Sequence, residues 1–203
     1  MPKRLWLQLA GAQGVGKTSL LKAVSNRLFD VYPHYYFEEL SRPLLADKSV
    51  SALDVLATND DQLLITTAFM LQYIKALASP YQLILAERTS IDCLAYTRHL
   101  SNPSQATLRL TGQFVIDTNM NCGPNMDTVT IYVPPKIPFV VDGVRREESQ
   151  RAIDFEIVRI LDEFGIVYNT LEAVDREERV AAVIGMIIEH FCGDDKIITI
   201  GGS

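Results

Sequence analysis

The chain has 203 residues, 48% of them hydrophobic, which suits one domain with a substantial core. A net charge of −6, with no basic tail or long cationic run, argues against an extended nucleic-acid footprint and leaves room only for a local basic channel. Three scattered cysteines, Cys93, Cys122 and Cys192, fit reduced thiols in a cytoplasm rather than a disulfide framework, and no apolar run approaches the ~18 residues of a membrane helix.

Leu5 to Ala10 is an apolar run that reads as a buried strand, broken at Gly11. Gly11-Ala-Gln13-Gly14-Val15-Gly16-Lys17-Thr18 is G-x-x-x-x-G-K-[ST], with a strand before it and a helical pattern after it. The basic start Met1–Arg4 runs into this loop so soon that a cleaved leader would destroy it, so no signal peptide is expected. Glycines let backbone N–H groups close around phosphate oxygens, and the following helix adds its positive end. Gly11, Gln13, Gly14, Val15, Gly16, Lys17, Thr18 and Ser19 are therefore the expected triphosphate site. Lys17 would reach the β- and γ-phosphates, and the Thr18 hydroxyl would ligate Mg²⁺.

Thr18 to Phe29 is an amphipathic helix, and Tyr35 to Leu40 a strand ending in Glu38 and Glu39. Ser41-Arg42-Pro43 opens another helical segment. Thr58-Asn59-Asp60-Asp61 is a cap cluster for a helix running to about Leu77, where Ser79-Pro80 stops it. Gln82 to Ala86 is a buried strand that ends in Glu87-Arg88, and a helix follows from Ser90 to His99. Asn102-Pro103 is read as cap and first position of a helix to about Asn119. Thr128 to Val133 is a strand; Pro134 to Arg146 is a loop rich in proline and arginine. Glu147 to Phe164 is a helix stopped by Gly165, Ile166 to Leu171 a strand, Asp175 to Phe191 a last helix, and Gly201–Ser203 a frayed end. No internal repeat or low-complexity linker interrupts the alternation. Strands alternating with helices imply a parallel sheet covered on both faces.

Ligands of such sheets bind at the carboxyl ends of the strands. There, Glu87 occupies the place of a carboxylate that holds Mg²⁺ directly or through water, and Arg88 could bind an anionic or hydroxylic acceptor. Glu39 and Arg42, three residues apart, share a face on a helical turn. A carboxylate near the γ-phosphate can accept the proton of an acceptor hydroxyl, and spacing does not separate Glu38 from Glu39 in that role. Arg145, rated above Arg146, lies on a segment of about 134–151 that could fold as a lid over the transferring phosphoryl group. Tyr35, Tyr36, Phe37, Phe69, Tyr73 and Phe139 are candidate stacking groups for a flat acceptor. His190 and Cys192 form a pair without partners at metal spacing.

Ala10 to Ser19, Glu39-Leu-Ser-Arg42, Glu87-Arg-Thr-Ser-Ile-Asp92 and Phe139-Val-Val-Asp-Gly-Val-Arg145 stand in an order that resembles P-loop nucleoside and nucleotide kinases. The likeness is strongest to the ribosylnicotinamide-kinase domain of the bacterial NAD-biosynthesis regulator and its AAA-type relatives. It implies a P-loop NTPase fold of the nucleoside monophosphate kinase type, α/β, with a five-stranded parallel sheet and helices on both faces. It also implies that Glu39 faces the acceptor, that Arg42 and Arg88 position it, and that Arg145 belongs to the lid. Phe139 stands where the relative has Trp, and Val141 where it has its first Asp. The reading is therefore an ATP- and Mg²⁺-dependent kinase acting on a nucleoside or nucleotide, with no membrane partner and a homodimer admitted. A phage-type kinase of a modified base in DNA and a regulatory ATPase switch are the alternatives; a GTPase switch would carry Asn-Lys-x-Asp, which is absent.

Overall fold

The computed structural model describes residues 3–38, 58–100, 102–122, 125–137 and 147–192. In chain order its elements are β1 (Arg4–Ala10), α1 (Lys17–Leu28), β2 (His34–Phe37), α2 (Asn59–Ala78), β3 (Leu83–Ala86), α3 (Ser90–His99), α4 (Gln105–Asn119), β4 (Met126–Tyr132), α5 (Glu147–Glu163), β5 (Tyr168–Thr170) and α6 (Arg176–Cys192). The five strands form one sheet in the order β2-β3-β1-β4-β5, and every pairing is parallel. The expected α/β sheet is the observed one.

β1 is the middle strand, and its continuous apolar run follows from cover on both faces. Leu5, Leu7 and Leu9 enter a core with Leu21 and Val24 of α1 and Val180, Val183 and Ile187 of α6. Trp6 points the other way, into a second cluster with Phe37, Phe69 and Tyr73 of α2, and Phe114 of α4. β3 alternates in the same way, Leu83 and Leu85 to the first core and Ile84 and Ala86 to the second. Gln8 is the one buried polar residue of β1. Its amide donates to Asn119 Oδ1 at 2.6 Å and Thr130 Oγ1 at 2.9 Å and accepts from Trp6 Nε1 at 3.2 Å, so burial leaves both ends satisfied.

The helix starts follow local side-chain chemistry. Thr58 and Asp61 form a reciprocal capping box on α2, and Thr89 and Asp92 form another on α3. Three expected boundaries move. The cap of α4 is Ser104, whose hydroxyl accepts the Thr107 N–H at 3.1 Å, and not Asn102. The stretch before α4 is instead tied to the start of α2, because the Asn59 amide donates to Asn102 O at 2.9 Å and accepts the Ser104 N–H at 2.7 Å. β2 ends at Phe37, so Glu38 already lies beyond the strand, and β5 has three residues rather than six. α5 ends where Gly165, at φ +60°, takes the left-handed conformation that closes a helix C-terminus. Arg98 of α3 then fixes α5, with a two-pronged bond to Glu163 at 2.7 and 2.8 Å and one to Glu156 at 3.0 Å.

Three of the candidate stacking rings are structural. Phe37 and Phe69 stack on each other at 5.6 Å between centroids, Trp6 meets Phe37 and Tyr73 edge-on, and all are buried. A ring with both faces covered by protein has none left for a ligand. Tyr35 packs half-buried against the same cluster. Phe69→Ala is expected to cost about 3–5 kcal/mol in urea unfolding, the range for deleting a buried ring. Unchanged stability with a raised acceptor KM would return Phe69 to the ligand side.

Candidate active site

Between β1 and α1 the chain turns through Gly14 at φ +78° and Gly16 at φ +86°, conformations only glycine adopts cheaply. Gly11 is required for a different reason. A Cβ there would lie 2.7 Å from the Val133 carbonyl oxygen, so only a bare backbone passes beside the end of β4. α1 begins at Lys17 directly after Gly16, so its free N–H groups face the loop.

The loop is anchored by side chains from four elements. Lys17, 6% exposed, donates to Ala12 O at 3.0 Å and also to Gly11 O. Asp92 of α3 accepts the Gly11 N–H at 3.2 Å with one oxygen and the Thr89 N–H at 3.0 Å with the other, so one carboxylate starts α3 and fixes the loop entrance. Gln150 of α5 donates to Gln13 O at 2.7 Å, and Arg179 of α6 donates to Val15 O at 3.0 Å. Arg179 is 7% exposed, lies against Gly16, and its Nε has no hydrogen-bond partner among the described residues; burial lowers its pKa from the usual guanidinium value.

Glu87 follows β3 and is 4% exposed. One carboxylate oxygen accepts from the Thr18 hydroxyl and the other from the Tyr36 hydroxyl at 3.2 Å. Burial, then the Glu87 charge, pushes the Tyr36 phenol far above its ordinary pKa and keeps it a donor. The two expected metal residues are thus in contact. A hydroxyl and a carboxylate at the mouth of a phosphate loop are hard oxygen donors that fit Mg²⁺. The Gln13 amide accepts from the Tyr96 hydroxyl, and its buried Nε2 has no partner among the described residues, which suits a phosphate-facing donor. Arg88 lies over the Tyr96 ring at 5.4 Å, so it is held beside the loop through that ring. Ser19 is exposed in the first turn of α1.

On the other flank, Asp154 of α5 accepts both contacts of the Tyr132 hydroxyl at 2.9 Å. Burial raises the Asp154 pKa above the ordinary carboxylate value, while the Tyr132 hydroxyl and the nearby Lys17 charge oppose that rise. Glu39, Arg42, Phe139 and Arg145 lie outside the described residues. His190 and Cys192 turn to different neighbours: His190 lies 3.8 Å from Asp127, and Cys192 meets the Tyr32 hydroxyl.

Sequence reading missed Asp92, Gln150, Asp154 and Arg179. The T-x-x-D capping pattern at Thr89–Asp92 was a visible signal for the first. For Arg179, behind Glu177 and Glu178 on a helix start, there was none. Replacing Arg179 by Met is expected to raise the Kd for ATP about tenfold, because the Val15 carbonyl loses a charged, buried donor. Arg179→Lys should recover part of the loss in calorimetric titration, and an unchanged Kd for the Met variant would remove the guanidinium from this role.

Residues 7–179 match the protein family described as AAA domain, AAA_28. No curated protein sequence matches the chain. Among solved structures, NadR protein in complex with NR is similar over 93% of this chain and 52% of that one, at 20% identity and a TM-score of 0.69. NadR protein in complex with NAD and AMP-PNP is similar over 94% and 50%, at 18% identity and 0.67. Deoxyadenosine kinase from M. mycoides with bound dATP is similar over 89% and 97%, at 14% identity and 0.62. The chain spans about half the length of the NadR chains, and at these identities the likeness is one of fold. The family match runs from the middle of β1 through the loop and the Thr18–Glu87 contact to Arg179. The chain belongs to this AAA domain family, with the P-loop fold of nucleoside kinases.

Proposed function

We propose that the protein is an ATP- and Mg²⁺-dependent kinase that transfers the γ-phosphoryl group to a nucleoside or nucleotide. One observation carries this reading further than nucleotide binding alone. The strand order puts β2 beside β3, with Phe37 opposite Ala86 and the Glu87 N–H donating to Phe37 O at 3.2 Å. Glu38 therefore follows β2 next to Glu87 and Arg88, at the sheet edge that carries the phosphate loop, which supports an acceptor side there. The neighbouring folds support the same class: one NadR structure holds NR and another AMP-PNP, and the deoxyadenosine kinase holds dATP.

In this reading the loop N–H groups hold the triphosphate, and the Lys17 ammonium moves from the Gly11 and Ala12 carbonyls to the β- and γ-phosphates. Thr18 and Glu87 would hold Mg²⁺, which when bound would offset the charge of the phosphates. Tyr36 fixes the second Glu87 oxygen. Asp154, steadied by Tyr132, supplies negative charge opposite Lys17. Arg88 and Arg42 grip the acceptor, Phe139 stacks on it, and Glu39 accepts the proton of its hydroxyl. Arg145, on a lid of about 134–151, meets charge that grows on the transferring group and helps to keep water out.

Glu87→Gln is expected to move the Mg²⁺ dependence of turnover to higher concentration and to change ATP affinity much less, since the loop backbone supplies most phosphate contacts. Titrating Mg²⁺ against initial rate checks it, and identical profiles for both proteins would remove Glu87 from the metal site.

The function is tested by an acceptor screen with γ-labelled ATP, reading labelled product. Free phosphate with every acceptor would make the protein an ATPase. With a nucleoside acceptor, Glu39→Gln should lower kcat by about 10²-fold or more with ATP affinity nearly intact, because a base acts only on the incoming hydroxyl. Arg145→Ala should likewise lower kcat more than it weakens binding. If Glu39→Gln keeps full kcat, the acceptor is a phosphate, which is already ionised and needs no base.

A further inference from the structure

The helix α2 has two apolar faces. Ile65, Phe69, Tyr73 and Ala76 are buried in the second core cluster. On the opposite side Leu63, Leu64, Leu71 and Ile74 are exposed, the last three at 48%, 57% and 60%. From Gln62 to Ile74 the helix carries no charged residue. At ~100° per residue, Asp60, Leu63, Leu64, Thr67, Leu71, Ile74, Lys75 and Ala78 form one stripe about 120° wide, all exposed. The two 17-residue helices differ: the exposed face of α5 carries Arg151, Arg159, Asp162 and Glu163 beside Phe155, and that of α6 carries Arg176, Glu177, Glu178 and Glu189. A helix apolar all round is a buried helix, and an uncharged stripe of this length marks a contact surface.

We propose that this stripe is the interface of a two-fold homodimer in which α2 packs antiparallel against α2 of a second copy. The arrangement of residues along the stripe selects a second copy over any other occupant. A two-fold axis between Thr67 and Ala68 brings the smallest side chains of the middle of the helix to the crossing point. The same axis places Leu64 against Leu71 of the partner copy, and Leu71 against Leu64. It also sets Asp60, the only exposed acid of the helix, against the partner copy's Lys75, its only base. An isologous contact needs this self-complementarity, with apolar residues inside and opposite charges at the two rims. Small residues at the centre let the axes approach closely. One helix pair is smaller than a standard interface of about 1,600 Å² in total, so the dimer dissociates on dilution through the micromolar range.

The test is sedimentation of the full chain over a concentration series. The wild type is expected to move from the 22.7 kDa monomer to twice that mass as concentration rises. Leu71→Glu should stay monomeric with unchanged circular dichroism and ATP affinity, since Leu71 lies on the surface and outside the site. Asp60→Lys and Lys75→Asp should each weaken self-association several-fold. Mixed together they should form a heterodimer more readily than either forms a homodimer, because both rim pairs are then opposite in charge. A wild type that remains monomeric at high micromolar concentration overturns the proposal, and so does a dimer that Leu71→Glu leaves intact. A monomer that Leu71→Glu destabilises would mean that the face is covered from within the same chain, which also overturns it.

Discussion

The structure depends on holding the turn from Gly11 to Lys17 in one conformation. Its carbonyl groups need partners, because a buried carbonyl left without one costs about 1–3 kcal/mol. Lys17, Gln150 and Arg179 meet the carbonyls of Gly11, Ala12, Gln13 and Val15, and Asp92 takes the Gly11 N–H. These residues come from α1, α5, α6 and α3, so four helices converge on one turn. Asp92, Gln150 and Arg179 thus fix the loop from outside its own helix, whatever Lys17 contacts.

The sheet provides the second constraint. Parallel strands deliver every carboxyl end to the same edge, and the order β2-β3-β1-β4-β5 decides which ends are neighbours. β1 brings the loop, β3 brings Glu87, and β2 brings Tyr36, whose hydroxyl reaches the Glu87 carboxylate from the side opposite Thr18. Beneath that edge, the aromatic cluster of Trp6, Phe37, Phe69 and Tyr73 gives β2 a rigid backing. Rings that could have stacked on a ligand are used instead to hold the strand that carries Tyr36.

Charge balance around Lys17 follows from the same convergence. A buried ammonium needs a counter-charge, and Asp154 lies near enough to feel it while Tyr132 occupies its oxygens. α5 therefore acts on the loop twice, through the Gln150 hydrogen bond to Gln13 and, one helical turn on, through the Asp154 charge near Lys17.

Much of this was written in local sequence. Gly14 and Gly16 at their spacing require the left-handed turns, the apolar run Leu5–Ala10 requires cover on both faces, and the Thr-x-x-Asp pairs at Thr58 and Thr89 start their helices within one turn. Glu87 at the end of an apolar strand, downstream of a P-loop, also marked itself. What needed the tertiary structure were contacts between distant positions: Arg179 meets Val15 across 164 residues, and Gln150 meets Gln13 across 137. The shortfall at Ser104 was of the same kind, since Asn59 of another helix holds the stretch where Asn102 looked like the cap. Local patterns are set by backbone sterics and by hydrogen bonds within a turn or two, which sequence spacing records. Which arginine on a helix faces inward, and which carbonyl it meets, is decided only when the helices pack, and no spacing along the chain encodes that.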